Sequence, residues 1–320
     1  MARIALVSFL VAAVLSGCGE AQAPRAAVTE RPEGTIVFLT DDNRLTAIDV
    51  ASGQRVTRRI RSVPSCGAEL YATGGHIVFS GVIKGSTTVF SIPLTLDRRP
   101  RRLGVAHAFV PSTTDGRVWL AGSDCDRTRM VGVREMTVGG EVTFENDRPV
   151  PAETVVGAVP EGLVVSRGST MSIWDPVTGA ARGAGLGWAF GIEGPLLAGC
   201  VAVDACNELT IVDTGSGRTV PVPGRLDMGG RFSPDGAWLA TAARNDRRWR
   251  VALVDTSSGA SRIIPGSRTG KVYPDVRWSR TSGWLFIRAG RRVLAYRPGA
   301  SRAERLPIRV PEWALGFTVG

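Results

Sequence analysis

Histidine and lysine are almost missing from this chain: His76, His107, Lys84 and Lys271 are all there are in 320 residues. Two separated histidines make no His-rich metal site, and no His/Cys/carboxylate cluster shows ligand spacing. No Gly-x-Ser-x-Gly elbow stands between a strand and a helix, so a Ser-His-Asp triad has no visible nucleophile; Gly215-Ser216-Gly217 is a turn. No helix-periodic stretch is long enough for a bundle. After the first 18 residues no apolar run approaches the ~20 residues of a spanning helix. The five cysteines lack C-x-x-C spacing, which disfavours a zinc site of four thiolates. Carboxylates brought together from distant segments are invisible in a sequence, so paired acid–base chemistry stays open. No cofactor motif is present.

What the chain has is turns, with 39 Gly and 19 Pro in a composition 43% hydrophobic. They are best ordered in residues 229–259, GGRFSPDGAWLATAARNDRRWRVALVDTSSG. Ser233-Pro234-Asp235-Gly236 is a turn with a mechanism: Pro presets φ, Asp bonds backbone two residues on, and Gly accepts positive φ. Trp238–Ala242 reads as a buried strand, Arg244–Arg247 as a polar turn and Arg250–Val254 as a second strand. Asp255-Thr256-Ser257-Ser258-Gly259 closes it, and Ser261–Ile264 reads as an outer strand. One such sheet cannot cover both of its faces and needs neighbours of the same kind.

The closing turn supplies a ruler. Asp-x-x-[Ser/Thr]-Gly recurs from Asp49, Asp175, Asp213 and Asp255, at gaps of 126, 38 and 42 residues, and the first gap is three times the last. Two degenerate copies are therefore expected near 91 and 133, where Thr88–Ser91 and Met130–Val133 read as strand ends, and a seventh near Pro298-Gly299. Seven units at about 42 residues lie in the range of four-stranded propeller blades. The fold class expected is all-β: a seven-bladed β-propeller of four-stranded antiparallel blades. Its first blade opens at its second strand, Thr35–Leu39, so residues 313–320 are expected to return as the missing innermost strand and close the ring, which removes exposed sheet edges.

Phe232-Ser233-Pro234-Asp235-Gly236-Ala237-Trp238-Leu239-Ala240 resembles the WD-like repeat of TolB-type extracytoplasmic propellers, and Arg277–Leu285 is a decayed copy. The motif covers two units; the other five match in spacing and turn chemistry alone. The resemblance implies the fold and leaves a shared activity unassigned.

Residues 1–18 read as a targeting segment: Arg3, an apolar core Ile4–Leu15 too short to span, then Leu15-Ser16-Gly17-Cys18. The last four residues resemble the lipobox of bacterial lipoproteins, which implies acylation of Cys18 and anchoring at the extracytoplasmic face of the cell membrane. Residues 19–34, rich in Ala, Pro and charge, read as a flexible tether, and 35–320 as the propeller. Four cysteines remain, an even number in an oxidising compartment. Cys200 and Cys206 flank the turn between the second and third strands of their blade, within bridging range. Cys66 and Cys125 fall in loops expected on one face of adjacent blades and form the second expected pair.

All but two of the 39 basic residues are Arg, and the formal net charge is +10. Clusters stand at Arg55, Arg58, Arg59, Arg61; at Arg98, Arg99, Arg101, Arg102; and at Arg244, Arg247, Arg248, Arg250. Solvated surface accounts for such clusters, and so does attraction to an anionic membrane or polymer. Nucleic acid is disfavoured, because no reading motif is present. His76 reads as a strand residue. The expected ligand site is the funnel where innermost strands start, with His107, Trp188, Arg231, Arg277 and Trp313 as candidates. The function expected is a monomeric, non-catalytic binding or scaffold module for a protein, peptide or glycan; the alternative is a propeller-class lyase, glycosidase or quinone-dependent dehydrogenase.

Overall fold

The computed structural model describes residues 31–60, 69–122, 131–202, 206, 208–224, 226–245 and 248–320. Cys18, Cys66, Cys125, Arg61 and Arg247 lie outside the described residues, and with them the expected lipid site and the Cys66–Cys125 bridge. From Pro32 to Gly320 the chain forms one unit, built of seven four-stranded antiparallel sheets.

The strands follow the repeat. Blade 1 holds β1 (Thr35–Thr40), β2 (Arg44–Asp49) and β3 (Arg55–Arg59). Blade 2 is β4 (Leu70–Thr73), β5 (His76–Ile83), β6 (Ser86–Pro93) and β7 (Arg101–Val105). Blade 3 is β8 (Ala108–Pro111), β9 (Arg117–Ala121), β10 (Val131–Thr137) and β11 (Val142–Pro149). Blade 4 is β12 (Thr154–Val159), β13 (Gly162–Arg167), β14 (Thr170–Trp174) and β15 (Ala181–Gly183). Blade 5 is β16 (Trp188–Glu193), β17 (Leu196–Cys200), β18 (Leu209–Asp213) and β19 (Thr219–Val222). Blade 6 is β20 (Leu226–Phe232), β21 (Trp238–Asn245), β22 (Arg248–Asp255) and β23 (Ser261–Ile263). Blade 7 is β24 (Asp275–Trp278), β25 (Leu285–Ala289), β26 (Arg292–Tyr296) and β27 (Glu304–Arg309). The last strand, β28 (Ala314–Val319), completes blade 1 by pairing antiparallel with β1, Phe317 opposite Phe38 and Thr318 opposite Val37.

Two boundaries differ from the sequence reading. Val133 does not end its strand: β10 continues to Thr137 before its turn. Arg244 and Asn245 do not belong to the expected turn either, because β21 and β22 stay paired through Arg244↔Trp249 and Asn245↔Arg248. The Arg244 guanidinium lies 5.5 Å from the centre of the Trp249 ring, a contact that holds polar residues in an extended hairpin.

The four intact closing turns share one chemistry. In each, the Asp carboxylate accepts from backbone amides and a hydroxyl inside the turn, as Asp255 does from Ser257 and Ser258. The fifth residue donates its amide to the Asp carbonyl at 2.8 Å from Gly53, Gly179, Gly217 and Gly259. Those glycines sit at φ between 72° and 79°, where a Cβ is disfavoured. Hydrogen bonding, from the Ser52, Thr178, Ser216 and Ser257 hydroxyls first, holds Asp49, Asp175, Asp213 and Asp255 below the usual carboxylate range.

There is no single core. Seven apolar clusters each fill the wedge between two neighbouring blades. The wedge between blades 7 and 1 joins Phe286 and Val293 to Ile36, Phe38 and Phe317. The wedge between blades 6 and 7 joins Leu253 to Leu285 and Trp278, whose indole N–H donates to the Arg231 carbonyl at 2.9 Å. Each sheet is thus apolar on both faces, which is why its central strands read as continuous apolar runs rather than alternating ones.

Candidate functional site at the channel mouth

The innermost strands β28, β4, β8, β12, β16, β20 and β24 surround the channel. A cavity of about 730 Å³ lies at the end where these strands finish, among the turns that follow them. The sequence reading points to the opposite end, where they start. The structure therefore separates the five candidates. Arg231 and Arg277, late in β20 and β24, line the cavity. His107, Trp188 and Trp313 sit at the starts of innermost strands and are absent from its wall. His107 is half-buried and its amide donates to the Ala121 carbonyl at 2.8 Å. Trp188 packs edge-on against Phe190, with ring centres 5.9 Å apart. Trp313 is 71% exposed and adopts φ 60°. His76, read as a strand residue, stands on the cavity wall with Nδ1 3.0 Å from the Gly74 carbonyl.

The wall is shaped by bulges. The pairing of β12, β16 and β20 with the next strand slips beside Gly157, Gly191 and Gly230. A bulge turns a strand and re-aims the side chains that follow it. In β16 and β20 those following residues include Glu193 and Arg231, both on the cavity wall.

Four features of the site were not legible in the sequence. Arg277 donates to Asp275 at 2.7 Å, while Arg288 reaches the other oxygen of the same carboxylate at 3.4 Å. Both guanidiniums face the Phe317 ring, at 5.3 and 6.0 Å from its centre. The Arg231 Nη1 donates to the Phe190 carbonyl at 3.3 Å, a long bond, and Arg231 also carries the electrostatic coupling to Glu69 and Glu193. Finally, Arg280 of blade 7 pairs with Asp115 of blade 3 at 2.6 Å. These blades are three steps apart round a seven-membered ring, so this ion pair spans the cavity mouth. Asp115 is pinned on its own side by the Gly74 amide at 2.8 Å and the Thr73 hydroxyl at 3.3 Å.

The channel electrostatics follow from enclosure. Glu69 and Glu193 are exposed by surface area, yet many protein atoms stand around each carboxyl. Burial pushes each carboxyl up to about 7, against the opposing pull of Arg231. Burial also raises the Tyr71 hydroxyl to about 12, with Glu69 adding to the rise. Burial lowers Arg277 to about 10, opposed by Asp275, so it remains a cation at neutral pH. Asp115 goes the other way: burial raises it, but the Gly74 amide, Arg280 and Thr73 together outweigh burial and hold it low. Among the described residues, no three of His, Cys, Asp and Glu stand close enough to share a metal ion. Cys200 and Cys206 form a disulfide, Cα atoms 5.2 Å apart, away from this cavity.

The raised carboxyls fix a sign for pH dependence. A group that keeps its proton to about pH 7 when folded, but to about 4.5 when unfolded, makes the folded state less stable as pH rises through that interval. Replacing Glu193 by Gln is expected to remove part of that decline. The melting temperature of Glu193→Gln relative to the parent should be higher at pH 8 than at pH 4.5. A difference that does not change with pH would contradict the enclosure of Glu193.

No family model and no curated protein matches the sequence. Solved structures do match in fold. TolB from Acinetobacter baumannii superposes with a TM-score of 0.51 at 12% identity, over 89% of this chain and 66% of that one. Apo AztD from Citrobacter koseri gives 0.52 at 10% identity, over 91% and 98%. The WD40 domain of coronin from Toxoplasma gondii gives 0.50 at 17% identity, over 87% and 76%. At these identities the likeness is one of architecture, and the chain is a seven-bladed β-propeller similar to TolB and WD40 propellers.

Proposed function

We propose that this propeller is a binding module, held by lipid on Cys18 at the extracytoplasmic face of the cell membrane, that takes an acidic group of a protein, peptide or glycan into the cavity at the channel mouth. The observation behind this reading is Arg231. It lines a cavity large enough for a few residues or sugars, beside the aromatic faces of Tyr71, Phe190 and Trp278. Arg277 and Arg280 are committed to Asp275 and Asp115. The Arg231 guanidinium has no ion pair within 4 Å and one long hydrogen bond among the described residues, so its planar fork has donors to give a carboxylate. Aromatic faces beside a cation are the means by which such sites hold sugars and peptides.

The test is co-purification of partners from the membrane fraction beside an array of neutral and acidic glycans. Arg231→Gln is expected to weaken the captured ligand roughly tenfold or more, the value of a charge-assisted bidentate contact. Unchanged capture by that variant would remove the cavity from the reading. Mass analysis of the mature N-terminus tests Cys18 separately.

One observation favours a second reading. Two carboxyls near pH 7 beside one cation, Glu69 and Glu193, have the proton affinity a general acid and base need. Turnover of an acidic sugar polymer that Glu193→Gln abolishes would move the chain to the glycosidases or lyases.

A further inference from the structure

The sequence carries two arginine clusters, residues 55–59 and 98–102, that the channel site does not use, and the fold brings them together. β3 is the outer strand of blade 1, and the segment entering β7 is on the outer edge of blade 2. Arg58 crosses from one to the other, donating from Nη1 to the Leu96 carbonyl at 2.7 Å. Between them lies a second cavity of about 290 Å³. Arg58, Arg59 and Arg99 stand on its wall, and the buried Phe79, Phe90 and Ile60 with the accessible Ile83 form an apolar lining. Among the described residues, none of Arg55, Arg58, Arg59, Arg98, Arg99, Arg101 and Arg102 makes an ion pair, although Arg44 of blade 1 and arginines of blades 3, 4 and 7 do. Arg101 meets only a carbonyl, that of Gly139, at 2.7 Å. Three guanidiniums on one groove, those of Arg58, Arg59 and Arg99, without a carboxylate partner among the described residues, are arranged for an anion with a non-polar continuation.

We infer that this edge of blades 1 and 2 docks on an anionic membrane, with a phospholipid headgroup seated between Arg58, Arg59 and Arg99 and its glycerol end over Ile83 and Phe90. The choice of a lipid over a soluble polyanion rests on the apolar lining and on the lipid anchor of the proposed function. A lipid on Cys18 would keep the domain beside the bilayer, where each basic side chain adds to surface attraction.

The assay uses residues 32–320, which contain all 28 strands and therefore the closed ring, so it does not depend on Cys18. Sedimentation with vesicles containing phosphatidylglycerol is compared with phosphatidylcholine vesicles at about 0.15 M salt, where surface charge is screened over a short range. The parent is expected to bind the anionic vesicles and not the neutral ones. Arg58→Gln/Arg59→Gln/Arg99→Gln is expected to lose roughly tenfold or more of that partitioning. The control Arg292→Gln/Arg305→Gln/Arg309→Gln removes equal charge from blade 7 and is expected to lose less than about twofold. Equal losses in the two variants, or no preference of the parent for anionic vesicles, would overturn the assignment. Release of the parent by millimolar glycerol phosphate would also overturn it, in favour of a soluble phosphate ligand. Should the first triple variant melt early, the smaller Arg58→Gln/Arg99→Gln change against Arg305→Gln/Arg309→Gln asks the same question. A failure here leaves the channel site standing, since no residue is shared.

Discussion

Removal of residues 311–320 is expected to leave an insoluble or protease-sensitive protein. The segment contains β28, the strand that makes blade 1 four-stranded. Its loss strips the ladder from β1 along Ile36↔Val319, Val37↔Thr318 and Phe38↔Phe317, together with the paired bonds of Thr35 and Gly320 at 2.9 and 3.0 Å. Arg288 loses the Ala314 carbonyl it donates to at 2.8 Å. The exposed edge of β1 would be flanked by Ile36 and Phe38, both fully buried in the intact ring, and a long apolar edge invites pairing with other chains. The apolar share of this effect can be read from one substitution. Phe317 is fully buried and stacks on Phe38 with ring centres 6.0 Å apart. Phe317→Ala should cost about 3–5 kcal/mol, the usual range for a large aromatic removed from a core. Leu315→Ala, two residues away and 44% exposed, should cost less than about 0.5 kcal/mol. Limited proteolysis and thermal melting report both. A truncated chain that melts like the parent would mean that the ring does not depend on its last strand.

The second large effect is expected at Gly199. This residue lies in β17, a strand buried along its whole length, where it pairs with Ala189 beside the slip in β16. A Cβ built there would land on the Trp188 carbonyl oxygen, with the Trp188 carbonyl carbon and Ala189 Cα both at 2.8 Å. These are backbone atoms of an innermost strand wedged between two blades, so no side chain can swing aside to make room. Gly199→Ala should cost about 3 kcal/mol, the upper end for overpacking a well-filled core. It should also weaken ligand capture, because β16 carries Phe190 and Glu193 into the cavity. Gly183→Ala is the control: its added Cβ meets nothing within 4 Å, and the change should stay within about 0.5 kcal/mol. Two variants of equal stability would show that blade 5 has slack that the packing does not suggest.

The turn chemistry, the period and the count of blades were legible in the sequence, because each is a short-range property. An Asp carboxylate that bonds amides two and three residues on, and a Gly that takes positive φ, specify a turn wherever they occur. A repeat of such turns at about 42 residues specifies stacked sheets. Ring closure was legible for the same reason: an opening blade short of its first strand and a strand left over at the end are one deficit and one surplus. The site was legible only in part. Arg231 and Arg277 stand at equivalent places in the two best copies of the repeat, just before Phe232-Ser233 and Trp278-Ser279, and so were found. The wall of the cavity where the innermost strands finish was shaped by the bulges beside Gly157, Gly191 and Gly230. Glu69, Glu193, Asp115 and Arg280 gave no signal, since they belong to different blades: Asp115 and Arg280 meet only across the cavity mouth, and Glu69 and Glu193 are coupled only through Arg231. Asp115 and Arg280 are 165 residues apart. Local hydrogen bonding is encoded residue by residue, whereas contact across a closed ring exists only once all seven wedges are filled.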